Sequence, residues 1–250
     1  MIFKADIQKI TLTDQKETRT LLENLNFNIE SGKIYTILGK NGSGKTTLIK
    51  SFTKLLSDAV YKVEGSTFWE NENIYKMNDT RLLDLRRNEI RYVLQDLTFN
   101  FDPLKKFKYY FEKTGSLKEI INEQLKSFLL PDYGTVSRLH PYEISGGMAQ
   151  RLSLMFALLP NPKFIILDEP TSAVDYSNIN LIKFKLKEFV KNDGAVLIVT
   201  HDLGFAKKIS DQLAFLQGGI LSDFKNSNDF FNNHQATPYS NFINSYNELR

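Results

Sequence analysis

The stretch GKNGSGKT at residues 39–46 constrains this chain more than any other. It matches the spacing G-x-x-x-x-G-K-[ST] through Gly39, Gly44, Lys45 and Thr46. Glycines permit the tight positive-φ turns that let successive backbone N–H groups converge on phosphate oxygens. Lys40, Asn41, Gly42, Ser43 and Thr47 complete the expected phosphate-binding set. Lys45 reaches the outer phosphates, and Thr46 offers its hydroxyl to Mg²⁺. Such a loop needs a strand before it and a helix after it. KIYTIL is a short apolar strand running into the loop, and Leu48, Ile49, Phe52, Leu55 and Leu56 repeat behind it at helical spacing.

The remaining pattern extends this unit. FKADIQKITL alternates loosely and NLNFNIE strictly, so both read as half-buried strands. VYKVEGSTFWE and IRYVLQD read as further strands, the second ending at Gln95. From about residue 104 to 160 the character is helical, as in SLKEIINEQLKSFLL and MAQRLSLMFALL. KFIILDEP and AVLIVTHD read as buried strands on either side of the amphipathic helix INLIKFKLKEFVKN. QLAFLQGGILSDF reads as a hairpin turning at Gly218–Gly219. Apolar strands alternating with helices predict a parallel α/β core, with the mid-chain helical block as an inserted subdomain.

The chain of 250 residues is long enough for one sizeable domain or two lobes. A formal charge of +3 is too mild to argue for nucleic acid, and no nucleic-acid partner is expected. There is no cysteine, which excludes disulfides and thiolate metal sites and favours a cytosolic setting. No apolar run reaches the ~20 residues that span a bilayer. The start, MIFKADIQKITL, is broken by Asp6 and Lys9 and does not read as a signal peptide. Work at a membrane would depend on other subunits.

FIILDE places Asp168 and Glu169 at the carboxyl end of a buried strand, the edge that faces the ligand crevice in an open α/β sheet. Asp168 is expected to hold Mg²⁺ and Glu169 to polarise an attacking water. EISGGMAQR, residues 143–151, sets a serine and two glycines before a helical pattern. That is either a second phosphate-binding helix start or an ordinary serine N-cap with a glycine turn.

ISGGMAQR resembles the signature of the ATP-binding-cassette (ABC) ATPases, usually LSGGQ. In order along the chain, Gln95 in YVLQD resembles that family's Q-loop, Ser172–Asp175 its D-loop, and His201 in IVTHD its switch histidine. The resemblance covers essentially the whole chain. It implies an α/β P-loop NTPase (RecA-like) core at about 1–95 and 160–250, with an N-terminal antiparallel β subdomain. An α-helical subdomain carrying the signature is inserted at 96–159. It implies ATP and Mg²⁺ as cofactors and two cassettes packed head to tail. Ser145, Gly146 and Gly147 would then bind the partner cassette's nucleotide, and Asp175 would bridge the dimer. Glu169 would be the general base, His201 the γ-phosphate sensor that partners it, and Gln95 the sensor of Mg²⁺ and water.

HPYEISGGMAQR, QDLTFNFDP and TPYSNFI resemble the peptide/nickel importer branch. Asp102-Pro103 stands where an Asn-Pro pair is common, and Thr237 replaces a histidine. SRLHPYE lacks the pre-signature pattern associated with exporters. The resemblance implies the ATPase subunit of an importer of peptides, nickel or metal–chelate complexes, at the cytoplasmic face of the membrane. Its partners would be integral membrane permease subunits, a second ABC ATPase (identical or paralogous) and, indirectly, an extracytoplasmic binding protein. The alternatives are a soluble cluster-assembly ATPase and an exporter cassette.

One departure stands out. Many members of the family stack adenine on an aromatic near the end of the first strand, where this chain has Leu12. No aromatic occurs between Phe3 and Phe27. Loose discrimination between bases is expected. The segment from Asp96 to Tyr110 leaves two readings open for Phe99 and Phe101: a groove for a permease helix, or helical-subdomain core. Lys105, Lys106 and Lys108 read as a solvated face.

Overall fold

The computed structural model describes all residues except 15–16, 96–100, 172–175, 235–236, 238 and 249–250. Its strands are β1 (Phe3–Asp14), β2 (Glu17–Ile29), β3 (Ile34–Leu38), β4 (Tyr61–Trp69), β5 (Glu72–Asn73), β6 (Ile90–Val93), β7 (Phe164–Asp168), β8 (Ala195–Thr200), β9 (Gln212–Gln217), β10 (Ile220–Leu221) and β11 (Lys225–Asn226). Its α-helices are α1 (Lys45–Ser51), α2 (Asp79–Asp84), α3 (Phe107–Thr114), α4 (Lys118–Ser127), α5 (Tyr133–Val136), α6 (Gly146–Leu158), α7 (Tyr176–Lys191), α8 (Leu203–Ile209), α9 (Ser227–Asn232) and α10 (Ser240–Glu248).

The strands form one continuous sheet in the order β5-β4-β1-β2-β10-β9-β3-β8-β7-β6, with β11 beside β9. From β9 to β6 all neighbours are parallel, and β3, β7 and β8 are buried along their whole length. Burial on both faces is what their unbroken apolar runs require. From β5 to β2 all neighbours are antiparallel. The predicted hairpin forms, with Ile220 opposite Gln217.

The loose alternation of FKADIQKITL has a structural cause. Phe3, Ala5 and Ile7 face the core, and then Ile10 does, so the inward phase shifts by one residue. The β1–β4 register slips between Ile7 and Lys9, as at a β-bulge. Opposite it stands Gly65, at φ 117, where a Cβ would lie 2.4 Å from the Asp6 carbonyl oxygen. Glycine is required by both the dihedral and the close approach.

One core joins the antiparallel strands, α1 and one face of the parallel sheet, centred on Phe3, Phe52, Trp69 and Phe164. A second joins α3–α7 to the opposite face. Phe101 belongs to it, 5% exposed and packed on Phe107, Tyr110 and Phe156, which favours the core reading of this residue. Phe99 lies outside the described residues. Lys105, Lys106 and Lys108 are exposed as expected. In the C-terminal part, Tyr239 is buried flat against Phe230 with ring centroids 4.3 Å apart.

Two boundaries differ from the sequence pattern. The helix behind the glycine loop ends at Ser51 rather than continuing to Leu56. Lys54 turns left-handed at φ 55, which leaves Leu55 40% exposed. β6 ends at Val93, so Gln95 lies beyond the strand and is exposed.

Candidate nucleotide site

The glycine loop joins β3 to α1. Gly44, at φ 99, occupies the N-cap of α1, a left-handed position that suits glycine. The side chain of Lys45 turns back into the loop. Its ammonium donates to the carbonyls of Gly39 (2.8 Å) and Lys40 (3.2 Å). It also pairs with Glu169 Oε1 at 3.2 Å, where both side chains are nearly fully buried. A buried pair of this kind holds only when its remaining donors and acceptors are matched. The two loop carbonyls match the lysine.

Glu169 follows β7 directly and sits at φ 48. Its Oε2 accepts from the Thr200 hydroxyl (2.7 Å) and the His201 amide (3.2 Å), and lies 3.0 Å from His201 Nδ1. The ends of the neighbouring parallel strands β7 and β8 thus bring the acid and the histidine together. Burial alone would raise the Glu169 pKa. The hydrogen bonds from His201 and Thr200, with the charge of Lys45, outweigh it and hold the carboxyl below the usual range. Asp168 moves the other way. Burial pushes its carboxyl up and the charge of Glu169 adds to this, against the Thr46 hydrogen bond and Lys45. The two adjacent acids therefore shift in opposite directions, Glu169 toward the ionised form and Asp168 away from it.

Thr46 Oγ1 donates to Asp168 Oδ2 at 2.7 Å. Asp168 Oδ1 is buried with no hydrogen-bond partner among the described residues, and so is the Ser43 hydroxyl. A carboxylate oxygen left unmatched beside a hydroxyl suits a hard, oxygen-seeking cation, and the residues fit Mg²⁺.

These residues line one cleft of ≈ 420 Å³, together with Asn41, Gly42, Gly44, Thr47, Gln95, Leu12, Arg19, Leu21 and Tyr61. Gly39 and Lys40 stand behind it and act through their carbonyls. Ser145, Gly146 and Gly147 do not line it. Ser145 caps α6, accepting from the Met148 amide at 3.2 Å, so the local geometry is that of an ordinary N-cap. Ser145 and Gly146 are exposed, and a Cβ on Gly146 would meet nothing within 4 Å. Gly147 is closed in, since a Cβ there would lie 2.5 Å from Asn178 Nδ2. Met148 packs on the second core. Asp175 lies outside the described residues.

The pattern did not reveal two features. The buried Gln150 Nε2 of α6 donates to the Pro170 carbonyl, which ties the signature helix to the segment that carries Glu169. Tyr61 reaches the cleft from β4, although nothing in its local sequence marks it. Beside the signature, Phe101, Pro103, Tyr142, Ile144 and Gly146 line an apolar hollow.

Residues 22–172 match the family described as ABC transporter. The oligopeptide transport ATP-binding protein OppD of Haemophilus influenzae is 30% identical over 88% of this chain and 71% of its own length. The metal-staphylopine import system ATP-binding protein CntD of Staphylococcus aureus is 29% identical over 86% of this chain and 83% of its own. Among solved structures, the dimeric post-hydrolysis state of the ATP-binding cassette MJ0796 bound to ADP and Pi matches with a TM-score of 0.75. It is 27% identical, over 91% of this chain and 99% of that one.

Proposed function

Because this chain belongs to the ABC transporter family and is one of its ATPases, we propose that it energises an importer of peptides, nickel or metal–chelate complexes. It does so from the cytoplasmic face of the membrane, through permease subunits that an extracytoplasmic binding protein supplies with cargo. The names of the oligopeptide and metal-staphylopine relatives support this reading of the cargo. No helix among the described residues is long and apolar enough to cross a membrane.

One observation carries the catalytic part. The carboxylate best held ionised, Glu169, stands beside the phosphate-loop lysine and is fixed by Thr200 and His201. Hydrolysis is in-line attack of water on the γ-phosphorus, helped mostly by positioning and electrostatics. Glu169 orients that water and takes its proton. Its lowered pKa makes it a weak base, which suffices where the transition state is loose and little proton transfer is needed early. His201 fixes the carboxylate and can face the γ-phosphate, with Gln95 lining the same cleft. Lys45 and the loop amides neutralise charge on the phosphates. Mg²⁺, held by Thr46 and Asp168, supplies further charge neutralisation when bound. Ser145, Gly146 and Gly147 face a second cassette's nucleotide.

The reading is tested by deleting the gene and measuring uptake of radiolabelled oligopeptides, nickel and metal–chelate complexes. Restoration of one uptake by the wild-type chain but not by Glu169→Gln is expected. Normal uptake of all of them in the deletion would overturn it.

A further inference from the structure

The phosphate end of the cleft is defined by Lys45, Thr46 and the acids. Its opposite end is built from the antiparallel strands, and there the bulges matter. Leu12 on β1 stands opposite Arg19 on β2 and opposite Tyr61 on β4. Directly opposed residues of antiparallel strands project to one face. Arg19, Leu12 and Tyr61 therefore form a single row across three strands, and all three line the cleft.

The position of this row is set by the row before it. Leu22, Ile10 and Val63 are paired in the same way, and Leu22 lies beneath the phosphate loop, where a Cβ on Gly44 would come within 3.1 Å of it. The Arg19–Leu12–Tyr61 row is the next on that face, two residues along β1 and so roughly 7 Å farther from the loop. A nucleotide whose phosphates sit on the loop places its base at about that reach. Tyr61 is packed against the main core, which restrains its ring. Arg19 is exposed and makes no ion pair among the described residues. An aromatic ring and a guanidinium plane around an apolar floor suit a flat heterocycle.

We propose that Tyr61 is the base-stacking residue of this ATPase, with Leu12 as floor and Arg19 closing from the opposite strand. The platform missing from β1 is supplied one strand over, by β4. Tyr61 and Arg19 offer ring faces and a cation rather than groups arranged to read a base edge. The site therefore grips the base without selecting adenine strongly. The inference rests on ATP being the substrate.

Equilibrium binding of Mg·ATP, Mg·GTP and inorganic tripolyphosphate to the full chain tests it, in wild type, Tyr61→Leu and Tyr61→Phe. Tyr61→Leu should raise Kd for ATP and GTP alike by on the order of tenfold, with tripolyphosphate binding unchanged. Tyr61→Phe should stay within about twofold of wild type, because the ring is kept. Unchanged ATP affinity in Tyr61→Leu would overturn the proposal. So would an equal loss for tripolyphosphate, which would mark a general disturbance of the cleft. A wild-type chain that binds tripolyphosphate but gains nothing from the base would instead refute the nucleotide reading itself.

Discussion

Nδ1 of His201 lies 3.0 Å from Oε2 of Glu169, and the His201 amide donates to the same oxygen at 3.2 Å. One residue thus holds the carboxylate twice, through its backbone and its ring. Replacing Glu169 by Gln should lower single-turnover hydrolysis by about 10²–10⁴-fold while nucleotide binding survives. His201→Ala should cost a similar order. The double variant should be little worse than Glu169→Gln alone, since both act through one carboxylate. Rapid-quench measurement of the three variants decides this. Fully multiplicative losses would mean independent roles.

Acid should weaken the fold through the same carboxylate. The Glu169 pKa is lowered from its ordinary 4.5, so the folded state favours the ionised form. Its contribution is present above that ordinary value and is lost as pH falls through the lowered one. Urea titrations between neutral and about pH 3 should show the stability gap between wild type and Glu169→Gln narrowing on the acid side.

Asp168 has the opposite sign. Its pKa is raised from 3.8, so its ionisation at neutral pH destabilises the nucleotide-free fold. Asp168→Asn retains an acceptor for Thr46 and removes the charge. A rise in Tm of roughly 2–4 °C is expected without Mg²⁺ or nucleotide, with hydrolysis lost. A bound cation relieves this destabilisation, so wild type should gain more from Mg·ATP than the variant does.

Gly146 is exposed and has open space where a side chain would stand, so Gly146→Asp should fold normally. Its carboxylate would oppose the phosphate of a facing cassette. In light scattering, Glu169→Gln is expected to shift to a dimer with Mg·ATP. Adding Gly146→Asp should keep it monomeric with ATP affinity unchanged. A dimer in both would remove the signature from the interface.

Gly65→Ala confronts the Asp6 carbonyl from a strained dihedral and should cost about 1–3 kcal/mol in denaturant titrations. It should also weaken ATP binding, because the bulge opposite Gly65 keeps Tyr61 in register with Leu12.

That dependence explains which parts of the site were legible in the sequence. Gly39 to Thr46, and Asp168 with Glu169, were readable because spacing within a few residues carries their chemistry. His201 was readable only through the resemblance of IVTHD to the family's switch-histidine segment. Tyr61 was not, because its place opposite Leu12 depends on a register slip between distant strands, and a one-residue slip exchanges the two faces of a strand. The Gln150–Pro170 contact was hidden for the same reason, as a tertiary hydrogen bond with no local signal. The parallel core was legible from its apolar runs. The early end of α1 was not, since Leu55 and Leu56 keep the helical spacing after the backbone has turned away.

Among the described residues, the antiparallel half of the sheet pairs with the hairpin strand β10 through Ile220 beside Glu23, reinforced by the Glu23 amide donating to Gly219 O at 2.9 Å. The cleft straddles this seam, with Tyr61, Leu12 and Arg19 on one bank and the phosphate loop on the other. A bound nucleotide therefore acts as a rivet, with its base end on the antiparallel half of the sheet and its phosphate end on the parallel half.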